Sequence, residues 1–181
     1  MRRPGSDPGP FARQARLALR WRVGLHQAQV YPGVTAALAE HLARGTNLIL
    51  CTAKARVFAE RVVDHFGLSP YLAAVYGPEL DGRLEDKGDL IAHILAVEGL
   101  DPAQVTMVGD RKHDVLAAAR HAIPTLGVLW GYGSRAELTA AGAALIIDRP
   151  AELVAGGGLG GGASDRPMGR TEVRFRPRDV G

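Results

Sequence analysis

The sequence predicts an α/β fold in which a Rossmann-like parallel sheet lies between two layers of helices. Short apolar runs bounded by glycine, proline or polar residues alternate with longer helical segments, a pattern typical of parallel strands joined by crossover helices. In residues 105–114, one apolar run ends at Gly109-Asp110, and a second carboxylate, Asp114, follows four residues later. An aspartate at the carboxyl end of a strand lies where open parallel sheets bind ligands.

The predicted elements alternate in order along the chain. Residues 11–29 fit helix and strand patterns equally poorly, and we assign them a weak helix. Predicted strands cover residues 47–51, 73–76, 105–109, 124–130 and 144–147. Predicted helices cover residues 34–43, a segment ending at 66, 87–98, 114–121 and 134–141. Glycine closes several of these helices, as is common at helix ends. The apolar stripes of the second and third helices are predicted to be Phe58, Val62 and Phe66, and Leu90, Ile91, Ile94 and Leu95.

Composition excludes several classes of protein. A chain of 181 residues with 46% hydrophobic and 23% charged residues has room for one globular domain. No run approaches the roughly 18 apolar residues of a membrane span, and no apolar stretch follows the basic N-terminus as in a secretory signal. The single cysteine, Cys51, excludes an internal disulfide, and we expect a reduced thiol in a cytoplasmic protein.

The basic charge is concentrated at the two ends. Residues 1–22 hold six arginines against one acidic residue, whereas the whole chain carries only +3. We predict a disordered leader with a remnant of a helix over residues 1–30, a core domain over 31–154, and a disordered Gly/Arg-rich tail over 155–181. Because the basic residues do not mark a folded face with interleaved aromatic residues, we expect no nucleic-acid or membrane partner.

Four polar residues are predicted to meet where the strands end. Thr52 follows one strand, Lys87 begins a helix, and Asp110 and Asp114 flank the turn after another strand. A hydroxyl, an ammonium and two carboxylates suit a phosphoryl group and a Mg²⁺ ion. The simpler alternative is that the aspartates and Thr52 cap helices and that Lys87 is a solvated lysine.

The order of these motifs resembles the haloacid dehalogenase superfamily, in its phosphoglycolate phosphatase-like and bacterial 5′-nucleotidase-like branch. The resemblance rests on an apolar strand followed by Thr52-Ala53-Lys54, on Leu80-Asp-Gly-Arg83 with Lys87, on Gly109-Asp-Arg-Lys-His-Asp114, and on Trp130-Gly-Tyr-Gly-Ser134. It implies that Thr52 and the amide of Ala53 bind the phosphoryl group, that Lys87 neutralises it, and that Asp110 and Asp114 hold Mg²⁺. Lys54 and Arg111 are candidate substrate contacts, whereas His113, Trp130 and Tyr132 are expected at the rim or in packing.

The resemblance also implies a nucleophile that the sequence does not show. The family's Asp-x-Asp-Gly-Thr pattern, on a first strand lying between those that end at Thr52 and Asp110, is absent, as is most of a helical cap. We therefore expect a gap of roughly two strand spacings of about 4.8 Å. Three interpretations stay open: a truncated and weakly active or inactive Mg²⁺-dependent phosphomonoester hydrolase, a non-catalytic phosphate- or nucleotide-binding module, and a fragment completed by another chain. The ligand is expected to be a small phosphomonoester, and an exposed sheet edge favours self-association.

Overall fold

Helices and strands alternate through residues 30–155, the part of the chain that the computed structural model describes. The strands are β1 (Ile49–Cys51), β2 (Ala74–Tyr76), β3 (Met107–Gly109), β4 (Thr125–Val128) and β5 (Leu145–Ile147). The helices are α1 (Val34–Ala43), α2 (Arg56–His65), α3 (Lys87–Glu98), α4 (Lys112–Ala119), α5 (Arg135–Ala141) and α6 (Glu152–Ala155). Single 3₁₀ turns cover Ser69–Tyr71 and Pro102–Gln104. The weak helix predicted over residues 11–29 and the tail beyond residue 155 lie outside the described residues.

All strand pairs are parallel, which confirms the predicted fold class, but the strands form two separate sheets. In the first sheet β1 pairs with β2, and in the second the order is β3-β4-β5. Among the described residues no ladder joins β1 to β3. The sheet therefore stays divided at the place where the resemblance led us to expect a gap, and the two strands do not close up.

Two hydrophobic clusters pack on opposite faces of the larger sheet. On one face, Ile91 of α3, Ala117 and Ala118 of α4, and Ile123 from the loop before β4 form a cluster. Cys51 of β1 and Met107 of β3 both pack against it. On the other face, Leu126, Val128 and Ile147 pack with Leu153 of α6. The first cluster therefore joins the two sheets through the helix layer rather than through strand hydrogen bonds.

Two strands predicted to be buried are partly exposed. Val108, in the middle of β3, is 48% exposed, and all three residues of β1 are half-buried. Successive side chains of a strand point to opposite faces, and Val108 shares its face with Leu126 in the ladder register. The described residues cover that face at Leu126 and Ile147 but leave it open at Val108 and at Leu145, which pairs with Leu126 on the other side. β4, by contrast, is buried along its whole length.

Three details of the helices differ from the sequence prediction. Helix α4 begins at Lys112 rather than 114, because Asp114 accepts a hydrogen bond from the backbone of Arg111 and so acts within the first turn. The fully buried side chains of α2 are Ala59 and Val63, so the stripe predicted from Phe58, Val62 and Phe66 is only half-buried. Helix α6 was not predicted from the sequence.

Candidate active site

The turn between β3 and α4 places two carboxylates at the carboxyl end of the larger sheet. Asp110 follows the last residue of β3, and Asp114 lies in the first turn of α4, where its Oδ2 accepts from the amide of Arg111 at 3.1 Å. A Cβ atom on Gly109 would overlap the side chain of Asp114. Glycine before Asp110 therefore lets the turn fold tightly enough to bring Asp114 inward.

Lys87 and Asp114 form an ion pair that is mostly withdrawn from solvent. The Lys87 Nζ contacts Asp114 Oδ1, and the two side chains are 21% and 10% exposed. Lys87 is the first residue of α3, where Asp86 caps the helix by accepting from the amide of Asp89 at 2.9 Å. The start of α3 therefore places the Lys87 ammonium against the first turn of α4.

A glycine-rich loop after β4 encloses Asp110. The amide of Tyr132 donates to Asp110 Oδ2 at 2.7 Å. A Cβ atom on Gly131 would overlap the Asp110 side chain, and one on Gly133 would overlap its backbone carbonyl. The two glycines therefore allow the loop to close on Asp110 and to fix one of its carboxylate oxygens.

Thr52 lies at the end of β1, on the smaller sheet. Its Oγ1 accepts from the amide of Lys54 at 3.2 Å, and its own amide donates to the carbonyl of Tyr76 at 3.0 Å. Helix α2 begins shortly afterwards with Ala55 at the N-cap, which offers no side chain to the first amides of the helix. Two of these amides are already paired, since that of Arg56 donates to the carbonyl of Pro78 at 3.0 Å and that of Phe58 donates to the carbonyl of Ala55 at 2.9 Å.

Cys51 precedes Thr52 in the sequence, and its thiol is close enough to Lys87 and Asp114 for their charges to affect its pKa. Burial is the main effect that raises the pKa of Cys51, while the charge of Lys87 lowers it and the charge of Asp114 raises it. The end of β1 is therefore within electrostatic range of the Lys87–Asp114 pair. The structure brings Lys87 and Asp114 into direct contact and places Asp110 in the same turn. The hydrogen bonds of Thr52, by contrast, join it to Lys54 and to Tyr76 of the smaller sheet.

The remaining sequence candidates lie on the protein surface. Lys54, Arg111 and His113 are exposed. Arg111 is already paired, because its Nε donates to Glu137 Oε1 at 2.9 Å, and the same oxygen accepts from the amide of Lys112 at 2.9 Å. These two hydrogen bonds, the one from the Lys112 amide first, lower the pKa of Glu137.

Glu137 was not identified as a residue of the site from the sequence, although the spacing of Ser134 and Glu137 gave a signal. Ser134 and Glu137 have the spacing of a capping box, and Ser134 Oγ does accept from the amide of Glu137 at 3.1 Å. The Glu137 carboxylate, however, reaches across to the β3–α4 turn instead of back to Ser134. It therefore ties α5 to the turn that carries both aspartates.

An aromatic cleft adjoins Asp110 and was also not predicted as part of the site. It encloses about 240 Å³ and is lined by Tyr31, Trp130 and Tyr132 together with Val108, Val128 and the Gly109-Asp110 backbone. Tyr132 is 87% exposed and Tyr31 is 42% exposed. Two exposed tyrosine rings and one indole beside a carboxylate offer flat apolar surface to a ligand held at Asp110.

The candidate metal ligands are of the type that Mg²⁺ prefers, but they are too few to form a complete site. Asp110 and Asp114 supply hard oxygen atoms, as Mg²⁺ prefers, yet both oxygens of Asp114 are engaged by Lys87 and Arg111. Within residues 30–155 no group of three or more His, Cys, Asp or Glu residues is arranged to hold a metal ion. The described residues therefore do not form a complete magnesium site by themselves, and Mg²⁺ binding by Asp110 and Asp114 stays a prediction.

A parallel α/β core with a lysine–aspartate pair near the strand ends is a Rossmann-like arrangement, in which ligands bind at the carboxyl ends of the strands. The chain belongs to the haloacid dehalogenase-like hydrolase family, whose model matches residues 8–122. This match confirms the resemblance that the motifs carried. In residues 30–155, no helix is long and apolar enough to cross a bilayer.

Solved and curated relatives agree with this assignment. A predicted phosphatase from Clostridium acetobutylicum has a similar structure, with a TM-score of 0.76, 32% identity, and coverage of 81% of this chain and 68% of that chain. A 5′-nucleotidase from Pseudomonas aeruginosa is 41% identical over 122 residues, which are 67% of this chain and 55% of the relative. A phosphoglycolate phosphatase from Rhodospirillum rubrum is 34% identical over 149 residues, 81% of this chain and 61% of the relative.

The names of the relatives are not uniform. The tyrosine-protein kinase PtkA of Mycobacterium tuberculosis is 39% identical over 104 residues, covering 58% of this chain and 36% of the relative. The chain thus spans less than two thirds of the length of each of these curated relatives. Their activities and substrates consequently belong to longer proteins and come to this chain only as proposals.

Proposed function

We propose that this chain carries the phosphate-binding core of a Mg²⁺-dependent phosphomonoester hydrolase. The observation that carries the proposal is the shielded Lys87–Asp114 pair, one turn away from Asp110 at the strand ends. An ammonium held in a site with limited solvent access neutralises a phosphoryl group more effectively than one in open water. A partly shielded lysine can therefore stabilise the charge of a bound phosphate, whereas water screens the charge of a fully solvated lysine.

Each side chain has a defined part in this proposal. Lys87 binds the phosphoryl oxygens, and Asp114 orients Lys87. Thr52 and the amide of Ala53 donate to the remaining oxygens. Asp110 holds the Mg²⁺ ion, which supplies further neutralisation of phosphate charge when it is bound. Asp110 is suited to this because the Tyr132 amide fixes its Oδ2 and leaves Oδ1 for the ion.

The proposal assigns no nucleophile to the described residues. The sequence holds no Asp-x-Asp-Gly-Thr pattern, and the described residues bring no third carboxylate to Asp110 and Asp114. Two alternatives therefore stay beside hydrolysis by this chain alone. One is a non-catalytic phosphate- or nucleotide-binding module, and the other is a fragment completed by a partner chain that adds a strand between β1 and β3, which are not paired to each other in residues 30–155.

The aromatic cleft favours a substrate with a ring system over a small aliphatic one. Tyr31, Trp130 and Tyr132 lie beside Asp110, and stacking of a base on an aromatic side chain contributes about 1–3 kcal/mol. We therefore propose nucleoside monophosphates ahead of phosphoglycolate. The 5′-nucleotidase name of the Pseudomonas relative supports the same choice.

The first experiment is hydrolysis of an aryl phosphate by the purified chain with and without Mg²⁺. The test variant is Asp110→Asn, and the matched control is Asp148→Asn, which alters an exposed aspartate that pairs with Arg135 away from the site. Mg²⁺-dependent turnover that is lost in Asp110→Asn and kept in Asp148→Asn supports hydrolysis by this chain. Turnover that survives in Asp110→Asn contradicts the assignment of the site.

A binding measurement separates the two alternatives if turnover is absent. Trp130 lies in the cleft, so its fluorescence reports ligands there once Trp21 has been replaced by Phe. Saturable binding of adenosine monophosphate that weakens in Lys87→Met supports a binding module. Turnover that appears only after addition of a second polypeptide supports completion by a partner. The substrate choice fails if Tyr132→Ala weakens adenosine monophosphate and phosphoglycolate equally.

A further inference from the structure

A second set of contacts, separate from the Lys87–Asp114 ion pair, holds the helix turn that contains Lys87. Arg120 caps the carboxyl end of α4, and its guanidinium reaches both Asp86 and Asp89 in the first turn of α3, with 2.8 Å between Nη2 and Asp89 Oδ1. His121, the next residue, places its Nε2 2.8 Å from the carbonyl oxygen of Gly88. All of these partners lie within two residues of Lys87 in the sequence.

The guanidinium also lies flat against the helix start. A Cβ atom on Gly88 would overlap the Nη1 and Cζ atoms of Arg120. Gly88 is buried, and it is the residue that allows the guanidinium to approach the backbone between its two carboxylate partners. The contact is therefore a packed one as well as an ionic one.

Helix α4 thus holds the start of α3 at two places. Near its beginning, Asp114 contacts the Lys87 ammonium. Six residues later, about 9 Å along a helix at 1.5 Å per residue, Arg120 and His121 hold the backbone from which Lys87 extends. Two fixed points determine the direction of the Lys87 side chain, whereas the ion pair alone would let the helix start rotate about it.

We propose that Arg120 and His121 are positioning residues that set the orientation of Lys87 against Asp114. The Arg120 contacts are about half exposed, and exposed ion pairs contribute little to stability. Their proposed contribution is geometric, because the partners of Arg120 and His121 lie on either side of Lys87. The inference rests on the proposed function only for the role of Lys87 as a phosphate ligand.

The chain offers a direct readout of the Lys87 environment. It contains three lysines, Lys54, Lys87 and Lys112, and only Lys87 is shielded, the other two being exposed. Acylation with limiting amine-reactive acetate ester, followed by mass spectrometry, gives the rate at Lys87 relative to the two exposed lysines. Arg120→Gln should raise this relative rate about fivefold, an effect of the size of a lost exposed ion pair.

Matched variants separate positioning from general stability. Arg44→Gln removes another half-exposed arginine, which pairs with Glu40, and should leave the relative rate at Lys87 unchanged. His121→Ala should raise the rate, and His121→Gln should restore it because its amide can still donate to the Gly88 carbonyl. If Arg120→Gln does not fold, Asp89→Asn removes one of the two carboxylate partners and should give a smaller rise in the same direction.

Two results would overturn the inference. One is an unchanged relative rate at Lys87 in the folded Arg120 or Asp89 variant. The other is an equal rise at all three lysines, which would show a loss of stability alone. Inorganic phosphate is then added as the probe of function: protection of Lys87 in the wild-type chain supports its phosphate role. Absence of protection with a persisting Arg120 effect refutes that role and leaves the positioning inference intact.

Discussion

The Lys87–Asp114 pair makes a quantitative prediction about stability. Removing one partner of a buried ion pair costs about 3–5 kcal/mol, because the other charge is left without compensation. Asp114 is 10% exposed, but Lys87 keeps 21% of its side chain in solvent, so screening reduces the expected cost of Lys87→Met to about 2–3 kcal/mol. Asp114→Asn should cost a similar amount, since its amide oxygen can still accept from the backbone of Arg111.

The double variant distinguishes a true pair from two independent losses. With both charges removed, no lone charge stays buried, and the cost of the double variant should fall below the sum of the single costs by about 2 kcal/mol. Urea unfolding followed by circular dichroism measures all four free energies. The same cycle on the exposed pair Arg135–Asp148, whose side chains are 53% and 59% exposed, should give less than about 1 kcal/mol. Additive single effects at Lys87 and Asp114, or a coupling no larger than the control, would refute the reasoning.

Three further outcomes follow from single residues. Ala122 is exposed and has φ of 57°, so Ala122→Gly should stabilise the chain by about 0.5–1 kcal/mol in urea unfolding; a loss of stability would contradict this. The Thr125 hydroxyl is buried without a hydrogen-bond partner in the described residues, so Thr125→Val should raise stability by about 1 kcal/mol, and a large destabilisation would reveal a hidden partner. Burial, and then the hydrogen bond to Glu98, raises the pKa of Tyr76 to about 12. Since Tyr76 stays neutral in the folded state above the ordinary tyrosine pKa of about 10, stability should fall as pH rises from about 10 to 12, and ultraviolet titration of Glu98→Gln should show an earlier phenolate.

The sequence predicted the order of elements because several helix boundaries have a local chemical cause. Asp86 caps α3 as its position indicated, and Gly99 closes it with φ of 63°. The turn before Lys87 forms around Gly82, with φ of 90°. Such signals involve neighbours in the chain, so they can be read without a structure.

Contacts between distant elements could not be read in the same way. Val108 looked buried because it is apolar, yet its exposure depends on what covers its face of the sheet. Arg120 and Glu137 were not singled out from the sequence, and their importance follows from pairing across 31 and 26 positions with Asp89 and Arg111. Composition and periodicity carry no record of such pairings, because many other partners of the same charge were available.

The division of the sheet determines how the candidate site is held together. Thr52 belongs to the β1–β2 sheet, and Asp110 belongs to the β3–β5 sheet. Within residues 30–155, their relative position is therefore set by the packing of Cys51 and Met107 on the same helix cluster, because no strand ladder joins the two sheets there. Helix packing tolerates shifts of an ångström that a hydrogen-bonded ladder resists, and a misplacement of that size can cost about 10²-fold in rate. Lys87 and Asp114 both lie on that helix layer, so they should keep their contact however the two sheets move. A segment that paired with β1 and β3 together would act chiefly on Thr52, by fixing it relative to an already ordered Lys87–Asp114 pair.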